Sequence, residues 1–166
     1  LNRADTLGKA REAVSKIHAP GLNVVWAHAG GDIAWWAAAR LPLRPAGIDP
    51  RFVLDASRGE AVKLGYAPFA QNPQEENPAR GYIVSANHQP GGLNPPAGYY
   101  NLPERARRID AALRDPQRKW TVPESQQLQQ DVTTSYASRL LKNLLAALQG
   151  RSQSAEDEAL LRSLAQ

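Results

Sequence analysis

A chain of 166 residues with 20 basic and 16 acidic side chains, a net charge of +4 and an ordinary share of apolar residues is the size of one globular domain. That composition excludes a disordered or fibrous chain, and no apolar run approaches the ~18 residues of a membrane span. Cysteine and methionine are both absent, which removes disulfide and thiolate chemistry and predicts a processed or excised piece of a longer product, beginning at Leu1.

In the opening segment, NRADTLGKAREAVSKI, the apolar residues Leu7, Ala10, Val14 and Ile17 recur on one helix face. Asp5 or Thr6 is the expected cap, and Pro20-Gly21 the expected end. LNVVWAHAGGDIAWWAAARLPLRP then sets two β-branched and aromatic runs around Gly30-Gly31. Glycines supply the positive φ angles of a tight hairpin turn, so strands are predicted at about 22–28 and 32–40. Prolines at 42, 45, 50, 68, 73 and 78, with glycines between, leave little room for long elements, and a loop of this length is often functional.

A further strand is predicted from Arg80 to Asn87, followed by the turn-rich QPGGLNPPAGYYN and a helix from Pro103 to Leu113. The last third predicts one long helix from Thr121. Thr121 and Glu124 stand in capping-box spacing, Pro123 sits in the first turn, and Leu128, Val132, Leu140, Leu144 and Leu148 fall near one face, with Gly150 as the stop. SAEDEALLRSLAQ begins another helix. The expected organisation is thus a helix in 1–20, strands and a long loop in 21–100, and mainly helix in 101–166.

The inventory of chemistry is narrow. His18, His28 and His88 lack the spacing of a zinc helix, and there is neither a glycine-rich phosphate loop nor a nucleophile elbow. Ser85 and His88 would point to opposite faces of a strand, which makes them an unpersuasive nucleophile–base pair. The basic cluster at Arg105, Arg107 and Arg108 is the one concentration of charge. It lacks the interleaved aromatics of a nucleic-acid surface, and a solvated helix face accounts for it. Asn87 is more informative: at the end of a strand an uncharged amide can donate to a developing oxyanion, or it can close a turn by bonding its own backbone.

Several segments carry a resemblance when taken in order. GLNVVWAHAGGDIAWWAAARLPLRP, GYAPFAQNPQEENPARGYIVSANHQP, RARRID and LQQD are similar in sequence and approximate spacing to an internal portion of the β chain of the penicillin acylase family, whose members are N-terminal-nucleophile amidohydrolases. The resemblance implies an α+β fold, part of an αββα sandwich, in which this chain supplies a β-hairpin, a long Pro/Gly-rich loop and C-terminal helices. It implies a precursor that cleaves itself to expose an N-terminal serine, and that serine's own amine activates its hydroxyl.

The resemblance also assigns residues. Asn87 matches the oxyanion-hole asparagine and Arg105 the active-site arginine that orients it. Leu22 matches a residue lining the acyl pocket, with core packing as the alternative. Pro50, within Asp49-Pro50-Arg51, matches a segment whose proline carbonyl binds a structural calcium in some members, with a simple loop as the alternative. Catalysis itself needs no cofactor. Two departures stand out: Leu1 is not a nucleophile, so the serine must lie outside this chain, and His88 stands where the family often has a second asparagine.

The implied partners are a small-molecule acyl-amide substrate of penicillin, N-acyl-homoserine lactone or lipopeptide type and the remaining α and β segments of the acylase, with no nucleic acid and no membrane. The implied location is periplasmic or secreted. The competing reading is a non-catalytic binding or scaffold module that keeps the fold without the chemistry.

Overall fold

A computed structural model describes residues 1–91, 98–134, 136–148, 151 and 154–164. Contacts divide the chain into two units, Leu1–Lys119 and Trp120–Gln166. The first begins with helix α1 (Leu7–Ser15). Thr6 caps it, accepting a hydrogen bond from the Lys9 amide, and Ala10 and Val14 are buried on its inner face. The helix stops at Ser15, short of Pro20-Gly21.

Strands β1 (Leu22–Ala27) and β2 (Ile33–Ala38) form the predicted hairpin, with Leu22 opposite Ala38 and Ala27 opposite Ile33. The turn differs from a two-residue glycine turn. His28 and Asp32 close a loop of Ala29, Gly30 and Gly31, and only Gly31 has a positive φ, at 101°. A turn that ends in one left-handed residue is the usual form of a three-residue hairpin loop. The Gly30 amide donates to His28 Nδ1 at 3.0 Å.

The long Pro/Gly-rich segment contains more pairing than its composition suggests. Strands β3 (Pro42–Leu43) and β4 (Gly65–Tyr66) form a two-stranded ribbon, and β5 (Gln74–Glu76) adds antiparallel to β2, giving a sheet ordered β1-β2-β5. In β2, the central strand, alternate residues face opposite sides. Ala34, Trp36 and Ala38 join Ala10 and Val14 of α1 in the core, while Trp35 is buried on the other side.

Glu76 ties this layer together. It pairs with Arg11 of α1 through the guanidinium Nε and Nη2 and accepts from Trp36 Nε1 at 2.8 Å. Arg11, then burial acting in opposition, then Trp36 set its acidity, and the carboxyl lies below its ordinary value. A carboxyl depressed in the folded state adds stability above its unfolded pKa, and that stability is lost as pH falls through the folded pKa. Glu76→Gln, which can still accept from Trp36, should therefore destabilise the full-length protein by on the order of 1 kcal/mol at neutral pH. Denaturant titrations at successively lower pH should show the difference closing once the glutamate itself is protonated.

The expected strand from Arg80 to Asn87 is absent. Gly81 and Asn87 both have positive φ, at 75° and 58°, so the backbone leaves the extended region at each end. Residues 82–85 have no ladder partner among the described residues, and a single parallel bridge joins His88 to Asn101. Helix α2 (Glu104–Leu113) packs into the first unit through its buried Ala106 and through side-chain bonds to this segment.

In the second unit the single long helix becomes two, α3 (Val122–Gln129) and α4 (Tyr136–Leu148), followed by α5 (Ala155–Leu164). The capping box of Thr121 and Glu124 forms with both bonds in place. The break has a polar cause: Asp131 Oδ1 accepts from the Thr133 amide, and Thr134 Oγ1 accepts from the Tyr136 amide, giving the backbone local partners in place of helical ones. Val132, expected on the apolar face, lies in this break and is 95% exposed. Gly150 lies outside the described residues.

Candidate active site

Asn87 stands in a bend. Its left-handed backbone conformation is one that asparagine tolerates better than most side chains, and its carbonyl accepts from the Asn101 amide at 3.0 Å. Its side chain does not close its own turn. Arg105, in the first turn of α2, places Nη2 2.7 Å from Asn87 Oδ1 and 3.0 Å from the Ala86 carbonyl. With the amide oxygen taken by a guanidinium, the amide NH₂ is left as the donor end, and no acceptor among the described residues takes it. The two residues assigned separately from sequence, 18 positions apart, are thus in direct contact.

Asn87 and Leu22 line one cavity of about 400 Å³ at the end of the sheet where β1 begins and β2 ends. Its walls combine apolar groups, among them Leu22, Ala38 and Leu41, with Asn87, His88 and Tyr100. Burial pushes the Tyr100 hydroxyl up from its ordinary pKa. A smaller cavity of about 250 Å³ adjoins Asn23, Trp35, Glu75, Ser85 and His88. His88 lines both cavities, and its Nδ1 is shut off from solvent without a hydrogen-bond partner among the described residues.

Asn72 was not singled out from sequence. It is 3% exposed and donates from Nδ2 to the carbonyls of Ala37 and Ala39, at 2.8 Å each, while Pro73 accepts from the Ala37 amide at 2.9 Å. These bonds fix the stretch of β2 and its exit that lines the larger cavity. The sequence signal was the Asn72-Pro73 pair, since a residue before proline is driven to extended backbone, and Asn72 sits at φ −66°, ψ 147°.

Pro50 is not drawn into this site. The adjacent carboxylate, Asp49, is occupied by Arg51, with Oδ2 at 2.6 Å from Nη2. No group of three or more His, Asp or Glu side chains able to hold a metal occurs among the described residues. The described residues thus do not by themselves fit a calcium cage at Pro50. Within the basic cluster, Arg105 serves Asn87 and Arg107 pairs with Glu104 at 2.9 Å.

This fold recurs within part of a solved acylase chain. Penicillin G acylase from Alcaligenes faecalis superposes with a TM-score of 0.72 over 99% of this chain and 30% of that one, at 24% identity, which establishes a shared mixed helix-and-sheet fold. Among proteins of known sequence, the acyl-homoserine lactone acylase QuiP of Pseudomonas aeruginosa is 31% identical over 145 residues, covering 84% of this chain and 16% of its own length. QuiP of Pseudomonas fluorescens strain Pf0-1 is 29% identical over 145 residues, covering 86% and 17%. The chain therefore spans about a sixth of the length of these relatives. The penicillin amidase family profile matches residues 1–166, and the chain belongs to that family.

Proposed function

We propose that this chain is an internal portion of the β chain of an N-terminal-nucleophile amidohydrolase that cleaves a linear acyl amide. In that reading the chain supplies part of the family's αββα sandwich. A serine supplied outside this chain attacks the acyl carbonyl, the C–N bond breaks with release of the amine, and water then frees the acid. Asn87 donates its NH₂ to the carbonyl oxygen as negative charge develops there, and Arg105 holds the amide in the orientation that makes this possible. Leu22 forms part of the acyl-binding wall.

The observation that carries this reading is the Arg105 contact to Asn87, a residue that lines the larger cavity, which leaves an amide donor with no acceptor among the described residues, beside apolar side chains. A wall of this kind favours a neutral acyl group over a charged one. The names of the relatives support N-acyl-homoserine lactones as the first substrates to try. A periplasmic or secreted location belongs to the same reading. Among the described residues, no helix is long and apolar enough to cross a membrane.

The test uses the full-length protein with N-acyl-homoserine lactones of graded chain length and N-phenylacetyl p-nitroanilide. Mass spectrometry should detect the free carboxylic acid and the free amine in equal amounts. Recovery of every amide intact would refute the hydrolase and leave the scaffold reading in its place.

A further inference from the structure

Arg105 and Asp110 lie five residues apart on α2, and Tyr82 and Asn87 lie five residues apart on the segment facing it. The pairs match in reverse order. Arg105 bonds Asn87 at one end, and Tyr82 Oη donates to Asp110 Oδ1 at 2.7 Å at the other. The segment and the helix therefore run antiparallel and are tied at both ends. Between the ties no strand ladder fixes residues 82–85: the Asn101 amide bonds the Asn87 carbonyl just ahead of α2, and at the far end the Tyr82–Asp110 bond sets how the helix lies along the segment.

The second tie is built into a longer chain of contacts. Arg114 Nη2 binds the other oxygen of Asp110, Oδ2, at 2.5 Å. Tyr82 and then Arg114 hold the Asp110 carboxyl below its ordinary pKa, and the same bond raises the Tyr82 hydroxyl. On the other side, the Arg80 guanidinium lies 5.4 Å from the centre of the Tyr82 ring and pairs with Glu75 of β5. The path thus runs from the sheet, through Glu75, Arg80, Tyr82 and Asp110, to the helix that carries Arg105.

We infer that Tyr82 and Asp110 are a positioning pair for the acylase site, fixing the register of α2 so that Arg105 meets the Asn87 amide. The inference rests on the proposed roles of Asn87 and Arg105. Arginine has a long side chain with about 2 kcal/mol of rotamer entropy, so a guanidinium orients an amide well only when the backbone that carries it is fixed. Tyr82 and Asp110 touch neither cavity, and their effect reaches the reaction only through that register.

The experiment compares Tyr82→Phe, which keeps the ring over Arg80 and loses only the hydroxyl, with Asp110→Asn and Arg105→Lys in the full-length protein. With N-decanoyl-homoserine lactone or N-phenylacetyl p-nitroanilide, whichever is turned over, kcat should fall about tenfold, short of the 10²-fold that a 1 Å misplacement can cause, with KM little changed. Combined with Arg105→Lys, Tyr82→Phe should add almost nothing, because both act on one contact.

A crystal structure of the Tyr82→Phe protein reads the pair without any substrate and should show the Arg105–Asn87 contact lengthened or lost. An unchanged contact overturns the inference, as does a fully additive double variant. If Asn87 variants lose turnover while Tyr82→Phe keeps it, the pair fails and the site reading stands. If Asn87 variants keep turnover, the site reading fails first, and the crystal structure still decides whether the pair sets the contact.

Discussion

Exchanging Asn87 for glycine in the full-length protein is expected to lower kcat for amide hydrolysis by about 10²–10³-fold, the cost of removing one oxyanion donor, or roughly 3–4 kcal/mol of transition-state stabilisation. Glycine is the informative replacement because residue 87 has a φ of 58°, where alanine would add strain of its own. Arg105 is exposed and keeps the Ala86 carbonyl as a partner, so the exchange leaves its charge solvated and bonded. Asn87→Asp sharpens the test. Aspartate tolerates the same backbone and can pair with Arg105 more strongly than the amide does, yet an ionised carboxylate accepts hydrogen bonds and donates none. If the role of Asn87 is to donate, Asp should be as damaging as Gly. If its role is only to hold Arg105, Asp should be active. Steady-state kcat and KM for the three proteins, with thermal midpoints to establish that all are folded, separate the two cases.

The parts of this fold that were legible in the sequence are those whose causes are local. The apolar spacing of Leu7, Ala10 and Val14 specified α1 and its buried face. The two runs around Gly30-Gly31 specified the hairpin, and Thr121 with Glu124 specified the start of α3, because a capping box is complete within four residues. What failed depended on partners far away in sequence or on competition within a few residues. Gln74–Glu76 contains nothing that reads as a strand, and it is one because β2 offers an edge for pairing about 40 residues upstream. Arg80–Asn87 reads as a strand from its apolar residues, but the segment is held by side chains to α2, and its two positive-φ ends prevent a ladder. The helix break at Asp131 to Thr134 follows from short polar side chains that bond the nearby backbone, a preference visible in the residues yet outweighed in the sequence reading by the leucine spacing.

The candidate site shows the same division. The resemblance supplied Asn87, Arg105 and Leu22, and the geometry brings all three to one region, the first two in contact and Leu22 across the cavity that Asn87 lines. Asn72 and the Tyr82–Asp110 pair lie within the same family-like segments, yet nothing in their local sequence points to a role. Each acts by bonding to a residue roughly 30 positions away, and a single sequence carries no record of such pairings.

Trp36→Ala should give the largest loss of stability, about 3–5 kcal/mol, because the residue is fully buried at the centre of the layer between α1 and the sheet. The neighbours cannot collapse into the space: Ala10, Ala34 and Ala38 are already small, and Val14 is held on a helix that Arg11 ties to Glu76. Glu76 would also lose the indole donor while keeping Arg11. A domain's total stability is about 5–15 kcal/mol, so the fold should survive with its midpoint lowered by on the order of 10 °C, measurable by calorimetry of the full-length protein. Trp36→Phe, which retains most of the volume and removes the N–H, should cost clearly less. Trp36 lines neither cavity, so well below the midpoint kcat and KM should stay within a few-fold of the parent protein. A loss under 1 kcal/mol for Trp36→Ala would mean that α1 does not close over the sheet in the full-length protein. A selective loss of kcat without loss of stability would mean that β2 transmits strain from this core to the Ala37–Ala39 wall, which Asn72 is there to fix.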